Sequence, residues 1–175
     1  MRKTSVFWWG IAVFLLLFHS CFHNRQSVSV IGYRDGRVFL KKNLYYRVGR
    51  LPLAWREFSA NAKAASFYNK ELGATISTDA FCASSFEDLP LKILSGQLFA
   101  GIGQHRVLDE KTLTLNGREA LRTLSSGTMD GVAIKFDSVV LKKNNCTIDF
   151  VYFAPPQNYE AGVKDFELFY NGFKF

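Results

Sequence analysis

The chain has 175 residues, a formal net charge of +7 and abundant aromatics, with seventeen Phe and seven Tyr. That composition excludes a disordered chain and allows one domain of ordinary size. No Lys/Arg run exceeds two residues, and no basic stripe joins a nucleic-acid motif, so nucleic acid is not an expected partner. The basic excess suits an anionic envelope surface or an acidic partner, or simply a solvated basic exterior.

The chain opens on Met1-Arg2-Lys3, followed by an apolar run from Val6 to Phe18 broken only by Gly10. About thirteen residues fall short of the roughly twenty that a helix needs to cross hydrocarbon. A short apolar run behind a positive flank is the pattern of a secretory signal. Stretching the run into a span, Thr4 to Phe22, would bury His19, Ser20 and Cys21 at one end. Leu17-Phe18-His19-Ser20-Cys21 resembles the bacterial lipoprotein signal, in which the cysteine is diacylated and becomes the new N-terminus. Ser20 fits that pattern, while Phe18 and His19 depart from its commonest residues. The resemblance implies lipidation at Cys21, with several acyl chains giving stable membrane anchoring. Phe22, rather than Asp, after the cysteine implies delivery to the outer membrane. Left unprocessed, the same segment is a short inner-membrane anchor, and the domain beyond it still faces the periplasm. The expected organisation is a signal peptide over 1–20, a tether over 21–36 and a single domain over 37–175.

Asp35-Gly36 is a turn signal between short strands at Val28–Gly32 and Arg37–Leu40. Leu44–Val48 is a further strand, stopped by Gly49 and Pro52. Ala64–Asn69 and Ala74–Phe81 flank Glu71-Leu72-Gly73 as a hairpin. Leu91, Leu94, Leu98 and Ile102 then recur at helical spacing over Leu89 to Ile102, with Asp88 as the helix start. Lys111–Leu115 and Arg118–Ser125 are joined by Asn116-Gly117, a type I′ turn signal. Gly127 to Gly131 turns again into Val132–Leu141, whose alternation marks a half-buried strand. Lys142 to Asn145 turns into Thr147–Phe153. Asn158 is the expected cap of a final helix whose one face is marked by Tyr159, Val163, Phe166, Phe169 and Phe173. Gly172 closes it in a Schellman-type end.

This order predicts an α+β fold, a curled antiparallel sheet with two helices on one face. From about Tyr45 onward it resembles the PsbP-like fold. The residues that carry the likeness are "LNGREALRTL" and "VVLKKNNCTIDFVYFAPPQNYEAGVKDFELFYNGFKF". A final strand runs there into a proline loop and then a helix with an aromatic ending, Gly172-Phe173. The resemblance implies that fold and a habit of binding other proteins. It carries no catalytic residue onto this chain.

With Cys21 lipidated, Cys82 and Cys146 are an even pair in an oxidising compartment. Cys82 is in register with Ile76, Thr78 and Ala80, and Cys146 with Ile148, Phe150 and Tyr152. Both rows face inward, which favours a disulfide over two separate buried thiols. Closing that loop is worth about 4 kcal/mol in the chain-entropy picture.

Catalytic and metal chemistry has little to build on. His105 is the one histidine in the expected domain, and a Cys82–His105 pair is the sole candidate for a thiol enzyme. A zinc site would want about four ligands at characteristic spacings. Gly96–Gly103, "GQLFAGIG", lacks the Lys-Ser/Thr ending of a phosphate loop. Asp79, Glu87 and Asp88 are candidate paired acids, with Asp79 otherwise a solvent-facing strand residue and Asp88 a cap. No catalytic residue, metal site or cofactor is therefore expected. The leading expectation is a non-enzymatic, periplasm-facing lipoprotein, held to the membrane by its lipid and acting as an accessory or assembly factor on an envelope protein complex. The alternative is a carrier of a small apolar ligand or lipid, with a pocket between sheet and helices.

Overall fold

The computed structural model describes residues 27–41, 43–58, 64–83 and 88–175. The expected signal over 1–20, the lipidation site Cys21 and the tether as far as residue 26 lie outside the described residues, as does Glu87. Five short strands come first: β1 (Ser27–Val28), β2 (Gly32–Arg34), β3 (Arg37–Lys41), β4 (Leu44–Arg47) and β5 (Trp55–Phe58). A hairpin of β6 (Ala65–Asn69) and β7 (Ala74–Ala83) leads to helix α1 (Leu91–Gln97). A meander follows, through β8 (Gly103–Leu115), β9 (Arg118–Met129), β10 (Val132–Lys143) and β11 (Cys146–Ala154). Helix α2 (Tyr159–Asn171) is the last element.

The large sheet is antiparallel, in the order β5-β6-β7-β11-β10-β9-β8, with β1 added to the far end of β7. Its long hairpins are closed by Asn116-Gly117, Asp130-Gly131 and Asn144-Asn145. All six residues have positive φ, between 46° and 79°. Type I′ turns need this, and their twist matches that of the flanking strands. A second sheet, in the order β2-β3-β4, turns at Asp35-Gly36 in the same way.

This second sheet and α2 cover one face of the large sheet. Phe150 of β11 and Phe166 and Phe169 of α2 are fully buried at their contact. Tyr46 of β4 reaches Thr78 of β7, hydroxyl to hydroxyl, at 2.8 Å. Thr78 donates its one hydroxyl proton to the Asp149 carbonyl at 2.7 Å, so Tyr46 must be the donor to Thr78. Burying rings of this size contributes roughly 1.5–3 kcal/mol each.

The predicted fold class is observed: an antiparallel sheet, not closed, with two helices. The placing of both helices on one face is corrected. Ser95 of α1 bonds Thr123 of β9 at 3.0 Å, while α2 is held by Arg122, the next residue along β9. Neighbouring strand residues point to opposite faces, so α1 and α2 lie on opposite sides of the sheet.

Other differences have local causes. The domain begins by Ser27 rather than Arg37, because Ser27 and Val28 pair with Ala83 and Cys82 and Val30 is buried. Helix α1 stops at Gln97, and β8 starts at Gly103 rather than Lys111. Two register shifts, at Gly103/Arg106 and Val107/Asp109, break the alternation that marks a strand in sequence. Gly127 lies inside β9 and not in a turn. A Cβ there would meet Ile102 Cγ2 at 2.4 Å, so close strand packing explains the glycine. Asn158 makes no side-chain cap; its Nδ2 donates instead to the Leu72 carbonyl at 2.9 Å. Gly172 has φ −73°, not the left-handed conformation of a Schellman end. A Cβ on Gly172 would sit 2.4 Å from Gly49 Cα, so glycine is required there by backbone approach.

Cys82 and Cys146 stand directly opposite in the β7–β11 ladder and are bonded. Replacing both by Ala should lower the free energy of unfolding by about 2–5 kcal/mol, read as an earlier urea midpoint of the oxidised protein.

Candidate functional site

Cys82, the candidate nucleophile, is taken up by its bond to Cys146. His105, its candidate partner, lies on β8 with its ring stacked on Phe99 at 4.1 Å. The Cys–His pair of a thiol enzyme does not form. Asp88 precedes α1 but does not cap it; it pairs with Lys142, which also donates to the Leu89 carbonyl at 2.9 Å. Among the described residues, no three His, Cys, Asp or Glu side chains gather as a metal site requires.

Asp79 is paired, but with a residue that sequence did not suggest. It stands opposite Asp149 across β7 and β11. Desolvation first, and the Asp79 charge second, push the Asp149 carboxyl up to about 7. The Asp79 carboxylate accepts from the Ala80 amide at 2.7 Å. Two facing acids in a sheet are destabilising when both are ionised.

The densest polar chemistry lies under α2 and was missed in sequence. Arg122 on β9 is 7% exposed. Its Nε donates to both Asp137 oxygens at 3.0 and 3.1 Å, and Nη2 donates to Oδ2 at 2.6 Å. Its Nη1 reaches across to α2, donating to Glu167 Oε1 at 2.7 Å and to the Tyr170 hydroxyl at 3.0 Å. Tyr159, at the start of α2, donates its hydroxyl to Asp137 Oδ2 at 2.7 Å. Burial alone would lower the Arg122 pKa; the bonds to Asp137 and then Glu167 more than offset this and raise it. Burial, then the Asp137 charge, hold the Tyr159 phenol well above its usual range. Tyr152 is pushed up to about 12, chiefly by burial. All these groups bond to one another. The cluster fastens helix to sheet, with all three guanidinium nitrogens engaged.

A carrier would need room between β11 and α2. That space is filled by Phe150, Tyr152, Phe166 and Phe169, with ring centroids 5.7–6.0 Å apart across the contact. A surface cleft of about 500 Å³ lies at the Cys146 end of the sheet, and its lining includes Asp88, Arg118, Glu119, Lys142 and Lys143. It is polar and suits charged groups rather than an apolar ligand.

Removing Asp137 leaves the Arg122 charge buried without its main partner. Asp137→Ala should cost about 3–5 kcal/mol, whereas Glu167→Gln, at a side chain 41% exposed, should cost about 1 kcal/mol or less; chemical denaturation reads both. Asp149 binds its proton more tightly in the folded chain than in the unfolded one. Its contribution is therefore fully present below about pH 4 and is lost as pH rises through about 7. Asp149→Asn should remove that slope and make the protein more stable than the parent at pH 8, by on the order of 2 kcal/mol, measured as the pH profile of the thermal midpoint.

No protein-family model matches the sequence, and no curated protein does. Solved structures share the fold. LpqN of Mycobacterium tuberculosis, involved in cell envelope biogenesis, is 12% identical with a TM-score of 0.58, over 87% of this chain and 91% of that one. A protein from Bacteroides thetaiotaomicron is 14% identical with a TM-score of 0.56; the match covers 81% of this chain and about half of that one, 48%. Cyanobacterial PsbP (CyanoP) from Synechocystis sp. PCC 6803 is 10% identical with a TM-score of 0.52, over 90% of this chain and 98% of that one. At these identities the likeness is one of fold, and the fold is PsbP-like.

Proposed function

We propose that this chain is a non-enzymatic envelope lipoprotein, an accessory or assembly factor for an envelope protein complex. Acyl chains on Cys21 anchor it at the periplasmic face of the outer membrane. The observation that carries the reading is the Cys82–Cys146 bond between adjacent strands. Such bonds persist in oxidising compartments and are rare in the cytosol. The basic, apolar start of the chain and its Cys21 supply a route to that compartment. The envelope-biogenesis role of LpqN, which shares the fold, also supports it. Among the described residues no helix is long and apolar enough to cross a membrane.

The buried polar groups favour binding over catalysis. Arg122, Asp137, Glu167 and Tyr159 are engaged with one another, so the chemistry offered to a partner is that of the surface.

In the native host, Cys21→Ser should abolish labelling by a fatty-acid probe and release the protein from membranes; labelling that persists would overturn the anchor. Density-gradient separation of inner and outer membranes then decides the destination of the acylated form.

A further inference from the structure

The β2-β3-β4 sheet has two faces of opposite chemistry. Val38, Leu40 and Tyr46 point inward and are fully buried. The register pairs Arg34 with Arg37, Arg37 with Arg47, and Phe39 with Tyr45, so these residues share the outer face. Arg47 is bridged in turn to Lys174, which extends the row beyond β4. Arg34, Arg37, Lys41, Arg47 and Lys174 are all exposed. None of the ion pairs among the described residues involves them. Like charges directly opposite each other weaken a sheet, so the row is a cost to the fold that no ion pair among the described residues offsets.

Two rings lie among these cations. Phe39 and Tyr45 meet in a tilted contact at 5.6 Å, and the Arg37 guanidinium sits over Tyr45 at 5.2 Å. Beside them Ile31 is 62% exposed, at the edge of a shallow pocket of about 290 Å³ whose lining includes Phe39 and Lys41. By sequence, residues 32–47 hold five cations and one carboxylate, Asp35, a net +4 of the chain's +7. Cations framing half-buried rings and one protruding aliphatic side chain are the composition of a membrane-interface surface.

We propose that this outer face docks on anionic phospholipid headgroups of the membrane that holds the chain. The inference rests on the anchor reading above, and the described residues supply its geometry. Ser27 is fixed in β1, only six residues after Cys21, so a fully extended connection spans roughly 20 Å. The domain is therefore kept near the headgroups, and β2 follows β1 by only a few residues. Lys and Arg near an anionic leaflet are drawn to it over about a Debye length. An acidic protein would match the charge but gains nothing from the short connection.

The test uses the full chain reconstituted in nanodiscs, whether its acyl chains or its uncleaved apolar segment holds it there. Hydroxyl-radical labelling, read residue by residue by mass spectrometry, is compared between discs containing phosphatidylglycerol and discs of phosphatidylcholine alone. Labelling of Phe39 and Tyr45 should fall at least about threefold in the anionic discs, while exposed Tyr68 and Phe81 stay unchanged. Raising salt to about 0.5 M should restore the labelling, without recourse to any variant. Arg34→Glu/Arg37→Glu/Arg47→Glu should lose the protection yet remain on the disc. Equal labelling of Phe39 and Tyr45 in both discs would overturn the proposal, as would salt-insensitive protection; an acidic protein partner predicts the first of these. Failure of acylation at Cys21 is read separately, by the fatty-acid probe, and leaves this comparison intact.

Discussion

A guanidinium at 7% exposure cannot stay in place without compensation, and in this fold the compensation comes from three side chains on two elements. Arg122 of β9 takes Asp137 from β10, and Glu167 and Tyr170 from α2. Desolvating such a group costs several kcal/mol, and only excellent geometry returns it. The pairing therefore contributes less to net stability than to selection among arrangements. It fixes which face of β9 and β10 receives the last helix. Once α2 lies there, Phe150, Phe166 and Phe169 interlock beneath it, and Phe173 meets Tyr46 of the small sheet. The opposite face is left to α1, which Ser95 ties to Thr123.

This division of labour shapes what the protein offers to others. The strongest polar groups are turned inward and spent on one another. The space that a ligand would need is occupied by rings. The surface offers charge arranged by strand register: a cleft with charged lining at the Cys146 end of the sheet, and a row of cations on the small sheet. Both are surfaces for contact, which agrees with an accessory role at the envelope.

Sequence made the local features legible and hid those that depend on register. The alternation of Val132–Leu141 announces β10, and Asn116-Gly117 announces the β8–β9 turn, because each signal is complete within a few residues. Alternation puts Cys82 and Cys146 each in an inward-facing row of its own strand, and the ladder places them opposite each other. The first half of β8 was hidden because two bulges scramble its period. The side of the sheet taken by each helix was also hidden. Buried helix positions show that a helix packs, but not which strand face it meets. Arg122 looked like an ordinary basic residue, since its partners are 15, 45 and 48 positions away. The facing acids Asp79 and Asp149 were out of reach for the same reason. The cations of β2 to β4 are plain in the sequence, yet only pairing reveals that they share a face.

In the proposed arrangement, a domain closed by a disulfide is carried at the envelope by a modified cysteine just before its first strand. Intact mass spectrometry of the mature protein, purified from native membranes without reductant, tests this most directly. The account predicts a chain that begins at Cys21, carries acyl mass on that residue and lacks two hydrogens for the Cys82–Cys146 bond. A chain that retains residues 1–20, with Cys21 as a free thiol, would contradict it.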